Sequence, residues 1–131
     1  MSAVLISKAN WDELIAHARD EAPNECCGYA RLSNGRVEEV FRGVNERHSP
    51  YGFDLDYESL KAANNLDDDG FGVAIYHSHV RSAAEPSEQD KNIVNYPDWL
   101  YLIISLQGEP HIRAWTMTSD GKVSEEPLEV A

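Results

Sequence analysis

The residues of this chain best suited to chemistry lie in two short segments. Tyr76-His77-Ser78-His79 carries two imidazoles two positions apart, and Pro86-Ser87-Glu88-Gln89-Asp90 follows it after a short polar stretch. On an extended strand, residues i and i+2 share a face about 6.5–7 Å apart, so His77 and His79 can converge on one ion. A helix opening at Ser87 places Asp90 in its first turn, where the carboxylate can turn back as an oxygen ligand to the same ion. Two nitrogens and one oxygen leave a tetrahedral zinc one position for water, the layout of a catalytic site and not of a closed structural one. An activated water also needs a proton carrier. Glu25, in Pro23-Asn24-Glu25-Cys26-Cys27-Gly28, is the candidate, because it is an acid embedded among small apolar neighbours. Ser87 offers a hydroxyl that can donate to the oxyanion of a tetrahedral intermediate.

Each of these residues also has a plainer reading. A His-x-His pair on a strand occurs as incidental core or surface histidine. Ser87 with Asp90 three residues on is a good helix start, the serine as N-cap and the acid favourable to the dipole. Glu25 alone reads as a solvated loop acid. Cys26 and Cys27 are adjacent, so a bridge between them would be strained, and they read as small buried hydrophobes with a zinc or redox role left open. His17, His48 and His111 lack partners at ligand spacing, and Asp67 to Asp69 lacks the ligand alternation of a calcium loop.

Positioning these residues requires a particular set of elements. An apolar run over Ser2 to Ile6 suits a strand. Ser7 can cap a helix in which Trp11, Leu14, Ile15 and Ala18 recur at helical spacing, ending before Pro23. Cys27 to Leu32 and Arg36 to Val40 flank the turn triplet Ser33-Asn34-Gly35, which predicts a β-hairpin. Gly43 to Gly52 reads as a loop, and Asp56 to Leu66 as a second helix closed by Asp67-Asp68-Asp69-Gly70. Phe71 to Ser78 alternates like a strand and runs into a polar loop from Val80 to Pro86. Ser87 then opens a short helix to about Asn95. Trp99 to Leu106 and His111 to Met117 read as strands, Lys122 to Ser124 as a final edge strand, and the last few residues as free to fray. Helices and a largely antiparallel sheet mix without a regular βαβ rhythm, in what reads as one domain over residues 1–131.

The chain has 131 residues, 11 Lys+Arg against 23 Asp+Glu, and a formal net charge of −12. That length holds about one domain. The cations are scattered, so no basic face exists to displace counterions from phosphates, which argues against nucleic acid and against an acidic membrane surface. The longest apolar stretch, near Leu100 to Leu106, is far below the ~20 residues of a bilayer helix, and Met1-Ser2-Ala3 reads as no signal peptide. The expectation is a soluble cytoplasmic protein. Oligomeric state is not legible.

Taken together, His77-Ser78-His79, seven intervening residues, Ser87, two more and Asp90 resemble the JAMM motif of the JAB/MPN metallopeptidases, with the upstream glutamate supplied by the segment around Glu25. The resemblance covers most of the chain. It implies an α/β fold with a curved, mostly antiparallel sheet flanked by helices, of the cytidine-deaminase-like JAB/MPN architecture. It implies zinc, one per chain, held by His77, His79 and Asp90, with Glu25 as general base then acid and Ser87 supporting the oxyanion. It further implies peptidase or isopeptidase action at the C-terminal glycines of a ubiquitin-like protein, in the compact prokaryotic branch a sulfur carrier or its C-terminal extension. Strand addition is the expected grip, with Ser49 to Asp54 and Val80 to Glu85 as groove walls. The loop after His79 lacks the proline common in relatives, which leaves its shape open. Arg81 in that loop reads either as a contact for a substrate carboxylate or as a counter-charge to Glu85. A non-catalytic MPN-like interaction module, and a metallopeptidase acting on a cell-wall or phage-related peptide, are the competing readings.

Overall fold

The computed structural model describes residues 3–88, 90, 98–118 and 120–131. Eight strands form one mixed sheet: β1 Val4–Ile6, β2 Cys27–Ser33, β3 Arg36–Arg42, β4 Gly72–His79, β5 Leu100–Ser105, β6 His111–Met117, β7 Val123–Glu126 and β8 Leu128–Val130. Their spatial order is β7-β6-β5-β4-β2-β3-β1-β8. Four ladders are antiparallel, β2–β3, β2–β4, β5–β6 and β6–β7, while β1–β3, β1–β8 and β4–β5 are parallel. The two outermost strands, β7 and β8, are joined through Pro127 alone, so the curved sheet nearly closes on itself.

Helix α1, Lys8–Glu21, begins where the sequence predicts. The Ser7 hydroxyl accepts the Asn10 amide at 3.1 Å, and Leu14, Ile15, His17 and Ala18 are buried on one face. Helix α2, Tyr57–Asp68, starts one residue later than expected because Asp56 is its N-cap: one carboxylate oxygen accepts the Ser59 amide at 3.1 Å and the other the Val44 amide at 2.9 Å. The β2–β3 hairpin turns on Asn34 and Gly35, both at positive φ (52° and 76°), as a tight two-residue turn demands.

Helices cover both faces of the sheet. On the α1 side, Leu14, Ile15 and Ala18 pack with Ala30, Ala74, Tyr76, Leu102 and Ile104; on the other, Cys27, Val73, Ile75, Ile103 and Trp115 pack with Phe53 and Ala63. Strand β4 lies between these two cores, so Val73 to His79 are all buried and not alternately exposed. Even-numbered side chains of β4 enter the α1 core. Odd-numbered ones, His77 and His79 included, face the α2 side.

Two expectations need correction. The C-terminal residues do not fray: β8 pairs in parallel with β1 through Val4↔Leu128, Leu5↔Glu129 and Ile6↔Val130, and the Ala131 amide bonds to the Ile6 carbonyl at 2.9 Å. A long-range parallel pairing outweighs the fraying tendency of an end. The final edge strand is also longer than Lys122 to Ser124, because β7 continues to Glu126 against Ala114. Of the helix expected from Ser87 to about Asn95, Glu88 and Asp90 are helical, and 89 and 91–95 lie outside the described residues.

Candidate active site

Strand register builds the site. Cys27 pairs with His77 across the antiparallel β2–β4 ladder, and the Ser78 amide bonds to the Cys26 carbonyl at 3.1 Å. Continuing that register by two residues sets Glu25 opposite His79, and because side-chain direction has period two, Glu25, Cys27, His77 and His79 share one face. Ser78 points the other way, where its hydroxyl accepts the Cys26 amide at 2.8 Å and holds the start of β2 against the end of β4.

His77, His79 and Asp90 converge, each of them buried. His77 Nε2 stands 3.2 Å from His79 Nε2 and 3.1 Å from Asp90 Oδ2, and His79 Nε2 stands 3.2 Å from the same oxygen. The ring of His77 is stacked on Phe53 with centroids 4.4 Å apart. His79 Nδ1 donates to the Ala83 carbonyl at 2.8 Å, which directs the lone pair of its Nε2 at the other two atoms. Ser87 and Asp90 cap one another: the Ser87 amide donates to Asp90 Oδ2 at 2.9 Å and the Asp90 amide to Ser87 Oγ at 3.0 Å. The helix-start reading of this pair is therefore realised, and it aims the carboxylate at the histidines. In this role Ser87 Oγ accepts, so its own hydrogen is left to donate.

The donor set fits zinc. Zinc–nitrogen and zinc–oxygen bonds of about 2.0–2.1 Å give a tetrahedron an edge of about 3.3–3.4 Å, and the three ligand atoms already form a near-equilateral triangle of almost that side. Burial opposes ionisation of Asp90, but the His77 and His79 rings and the Ser87 amide outweigh it and hold the carboxyl well below the usual range. Burial likewise opposes a charge on His79, and the bond to Asp90 and the Ala83 carbonyl outweigh that, raising its pKa. A carboxylate that stays ionised and draws positive charge around itself is a cation site by construction.

Glu25 is different. Burial is the largest influence on it and Asp90 adds to it, against His79 and Arg47, so its pKa is pushed up to about 7. Its Oε1 is buried with no hydrogen-bond partner among the described residues. The backbone around it is clamped, the Glu25 amide donating to the Ser49 carbonyl at 2.9 Å and the Glu25 carbonyl accepting from Asn45 Nδ2 at 3.0 Å. Asn45, itself buried, spends its full hydrogen-bonding capacity here: Nδ2 also donates to the Gly52 carbonyl, and Oδ1 accepts the Arg47 and Asp54 amides. Nothing in the sequence marks Asn45, because its partners lie along a loop whose path is unknown until it is folded.

A cleft of about 230 Å³ opens over Glu25 and His79, walled by Pro23, Pro50 and Tyr51 on one side and Val80, Arg81 and Ser82 on the other. Both expected wall segments thus contribute. The second wall is rigid without the missing proline, for four consecutive carbonyls each accept a side-chain donor: Arg81 from Gln107 Nε2, Ser82 from Ser105 Oγ, Ala83 from His79 Nδ1 and Ala84 from Trp115 Nε1. Cys26 and Cys27 are free and buried, and no described metal-ligating group includes them. Burial pushes the Cys26 thiol up to about 12 and raises that of Cys27 as well, so neither is a thiolate at neutral pH.

The model of the family described as prokaryotic homologs of the JAB domain matches residues 7–118, a span that contains Glu25, both histidines, Ser87 and Asp90. The chain belongs to the prokaryotic JAB family. Within that family it is 36% identical over 135 residues to the CysO-cysteine peptidase of Mycobacterium tuberculosis, covering 97% of this chain and 91% of that one. It is 34% identical over 116 residues to the desampylase of Haloferax volcanii, covering 80% and 82%. The solution structure of protein DSY2949 from Desulfitobacterium hafniense matches 97% of this chain and 92% of that one, with a TM-score of 0.79 at 33% identity. This JAB protein is accordingly a JAMM-type hydrolase with an α/β fold, and the relatives named for peptidase and desampylase activity match it over most of its length. Among the described residues no helix is long and apolar enough to cross a membrane.

Proposed function

We propose that this JAB protein hydrolyses the bond that follows the C-terminal glycines of a ubiquitin-like protein, a sulfur carrier or its C-terminal extension, in the cytoplasm, with residues 1–131 acting as one domain. His77 Nε2, His79 Nε2 and Asp90 Oδ2 would hold one zinc per chain. Bound there, zinc supplies Lewis acidity, polarising the scissile carbonyl and making water a nucleophile at neutral pH. Glu25 Oε1 accepts the proton of the attacking water. The same carboxyl then returns a proton to the leaving amine as the C–N bond breaks, so one group serves both steps. The Ser87 hydroxyl donates to the carbonyl oxygen as charge builds on it. The cleft between Tyr51 and the Val80–Ser82 wall takes an extended tail, and glycines suit a passage whose two sides are closed by pinned loops.

The observation that carries this reading is the placement of Glu25: a buried carboxyl with an oxygen unpartnered among the described residues, in a cleft that it shares with His79, one member of a ready-made cation triad. An idle acid would not be kept in such a place, since burial without a partner costs free energy. Metal titration with activity tests it. Wild-type protein takes up about one zinc per chain and cleaves; His77→Ala loses both; Glu25→Gln keeps the zinc and loses cleavage. A wild-type protein unable to hold zinc at neutral pH contradicts the reading.

A further inference from the structure

The cleft is lined by a cation, Arg81, that no described residue pairs. Glu85, one of the two partners weighed for Arg81, is bound to Arg113 at 3.1 Å, and Arg113 also grips Glu125 at 2.7 Å. The Arg81 guanidinium has no hydrogen bond or ion pair among the described residues, although Asp and Glu outnumber Lys and Arg 23 to 11 in the chain. Its backbone is fixed, because the Arg81 carbonyl is held by Gln107 at 3.1 Å and the next three carbonyls by Ser105, His79 and Trp115. An exposed arginine is thus anchored two residues from His79, on the wall of the cleft that contains Glu25, with no ion pair among the described residues. Arg31, Arg42, Arg113 and Lys8, by contrast, are each paired with an acid.

We propose that Arg81 is a specificity-determining residue that binds the α-carboxylate of the residue released, so that the protein prefers to remove a single C-terminal amino acid. This inference rests on the hydrolase reading above and adds to it the class of bond. In a chain ending in one residue after the glycines, the free carboxylate sits on the α-carbon next to the leaving nitrogen, within about 4 Å of it. A guanidinium on the cleft wall can meet it with two parallel N–H donors. A lysine isopeptide offers methylenes at that place, and a longer extension offers a neutral amide, so neither engages the cation. Hydrolysis there adds one water: the C–N bond breaks, the glycine carbonyl carbon gains the hydroxyl and becomes a carboxylate, and the released residue leaves as a free amino acid.

The test uses zinc-loaded full-length protein and a carrier-tail peptide ending Gly-Gly-Ala, as the free acid and as the C-terminal amide. The acid is turned over with KM at least about tenfold below that of the amide, as expected for loss of one charge-assisted contact. Arg81→Ala raises KM for the acid to the amide value and leaves kcat within about twofold, while Arg81→Lys restores part of the gap. The Glu25→Gln protein, which does not turn over, binds the acid more tightly than the amide by a similar factor, and the double variant with Arg81→Ala binds them equally. Wild-type protein that cleaves acid and amide with equal KM, or Arg81→Ala that retains the difference, overturns the role of Arg81 and leaves the hydrolase reading standing. Wild-type protein that cleaves neither overturns the hydrolase reading and the inference with it.

Discussion

Glu25 is where sequence and structure add most to one another. Its type and its place before Cys26-Cys27 mark it as a candidate base, but a loop acid in water has an ordinary pKa, and it is burial in the folded cleft, with Asp90 nearby, that pushes it up to about 7 against the opposing pull of His79 and Arg47. Replacing it with glutamine should lower kcat by about 10²–10⁴-fold with zinc stoichiometry unchanged, measured by steady-state cleavage beside metal analysis. The same burial has a sign for stability. The carboxyl titrates near 7 when folded against an ordinary value of 4.5, so between those values the folded protein holds more protons, and stability falls as pH rises through that window. In metal-free protein Glu25→Gln should therefore be more stable than wild type at pH 8, by about 1–2 kcal/mol, with the difference vanishing below about pH 4.5. Thermal melts at several pH values check this. His77, His79 and Asp90 were legible as candidate ligands for the same reason as Glu25, since the chemistry they offer is written in residue type and spacing. Asn45 was not, because it acts through four backbone groups of a loop and carries no chemistry of its own.

At the scale of elements, the legible part was whatever local rules decide. Ser7 and Asp56 cap helices, Asn34-Gly35 turns a hairpin, and apolar periodicity finds β4, β5 and β6. What local rules do not reach is pairing between distant strands, and β8 on β1 joins the two ends of the chain. Removing residues 128–131 should expose the β1 edge and cost about 2–3 kcal/mol, read as a lower urea midpoint. The loop after His79 shows the same limit. Its shape was open in the sequence because the usual proline is absent, and it is set instead by Gln107, Ser105 and Trp115 from β5, β6 and the turn between them. The clamp around Glu25 belongs to this scale too. Asn45→Ala should release the Glu25 and Gly52 carbonyls and the Asp54 and Arg47 amides, lowering both stability, by about 2–3 kcal/mol, and kcat, while zinc affinity stays near wild type. Equal loss of zinc and activity would show instead that the whole site collapses.

Across the whole molecule, a net charge of −12 is a surface property, since Glu25 and Asp90 alone among the 23 acids are assigned chemistry. Ion pairs such as Arg42 with Glu13 and Asp20 offset part of it, and the rest repels itself. Salt that shortens the screening length from about 30 Å at 0.01 M to about 3 Å at 1 M should raise the melting temperature by several degrees, and a flat response would contradict this. The same acidity sharpens the meaning of an arginine in the cleft that has no ion pair among the described residues. It also leaves the site as the feature that decides what the molecule does, and one measurement reaches it directly: the intact mass of a ubiquitin-like carrier bearing one residue beyond its terminal Gly-Gly, after incubation with zinc-loaded wild-type protein and, in parallel, with Glu25→Gln. The predicted result is loss of the mass of that one residue with wild type and an unchanged carrier with Glu25→Gln. A carrier left intact by the wild-type protein, or trimmed equally by both, would contradict the account.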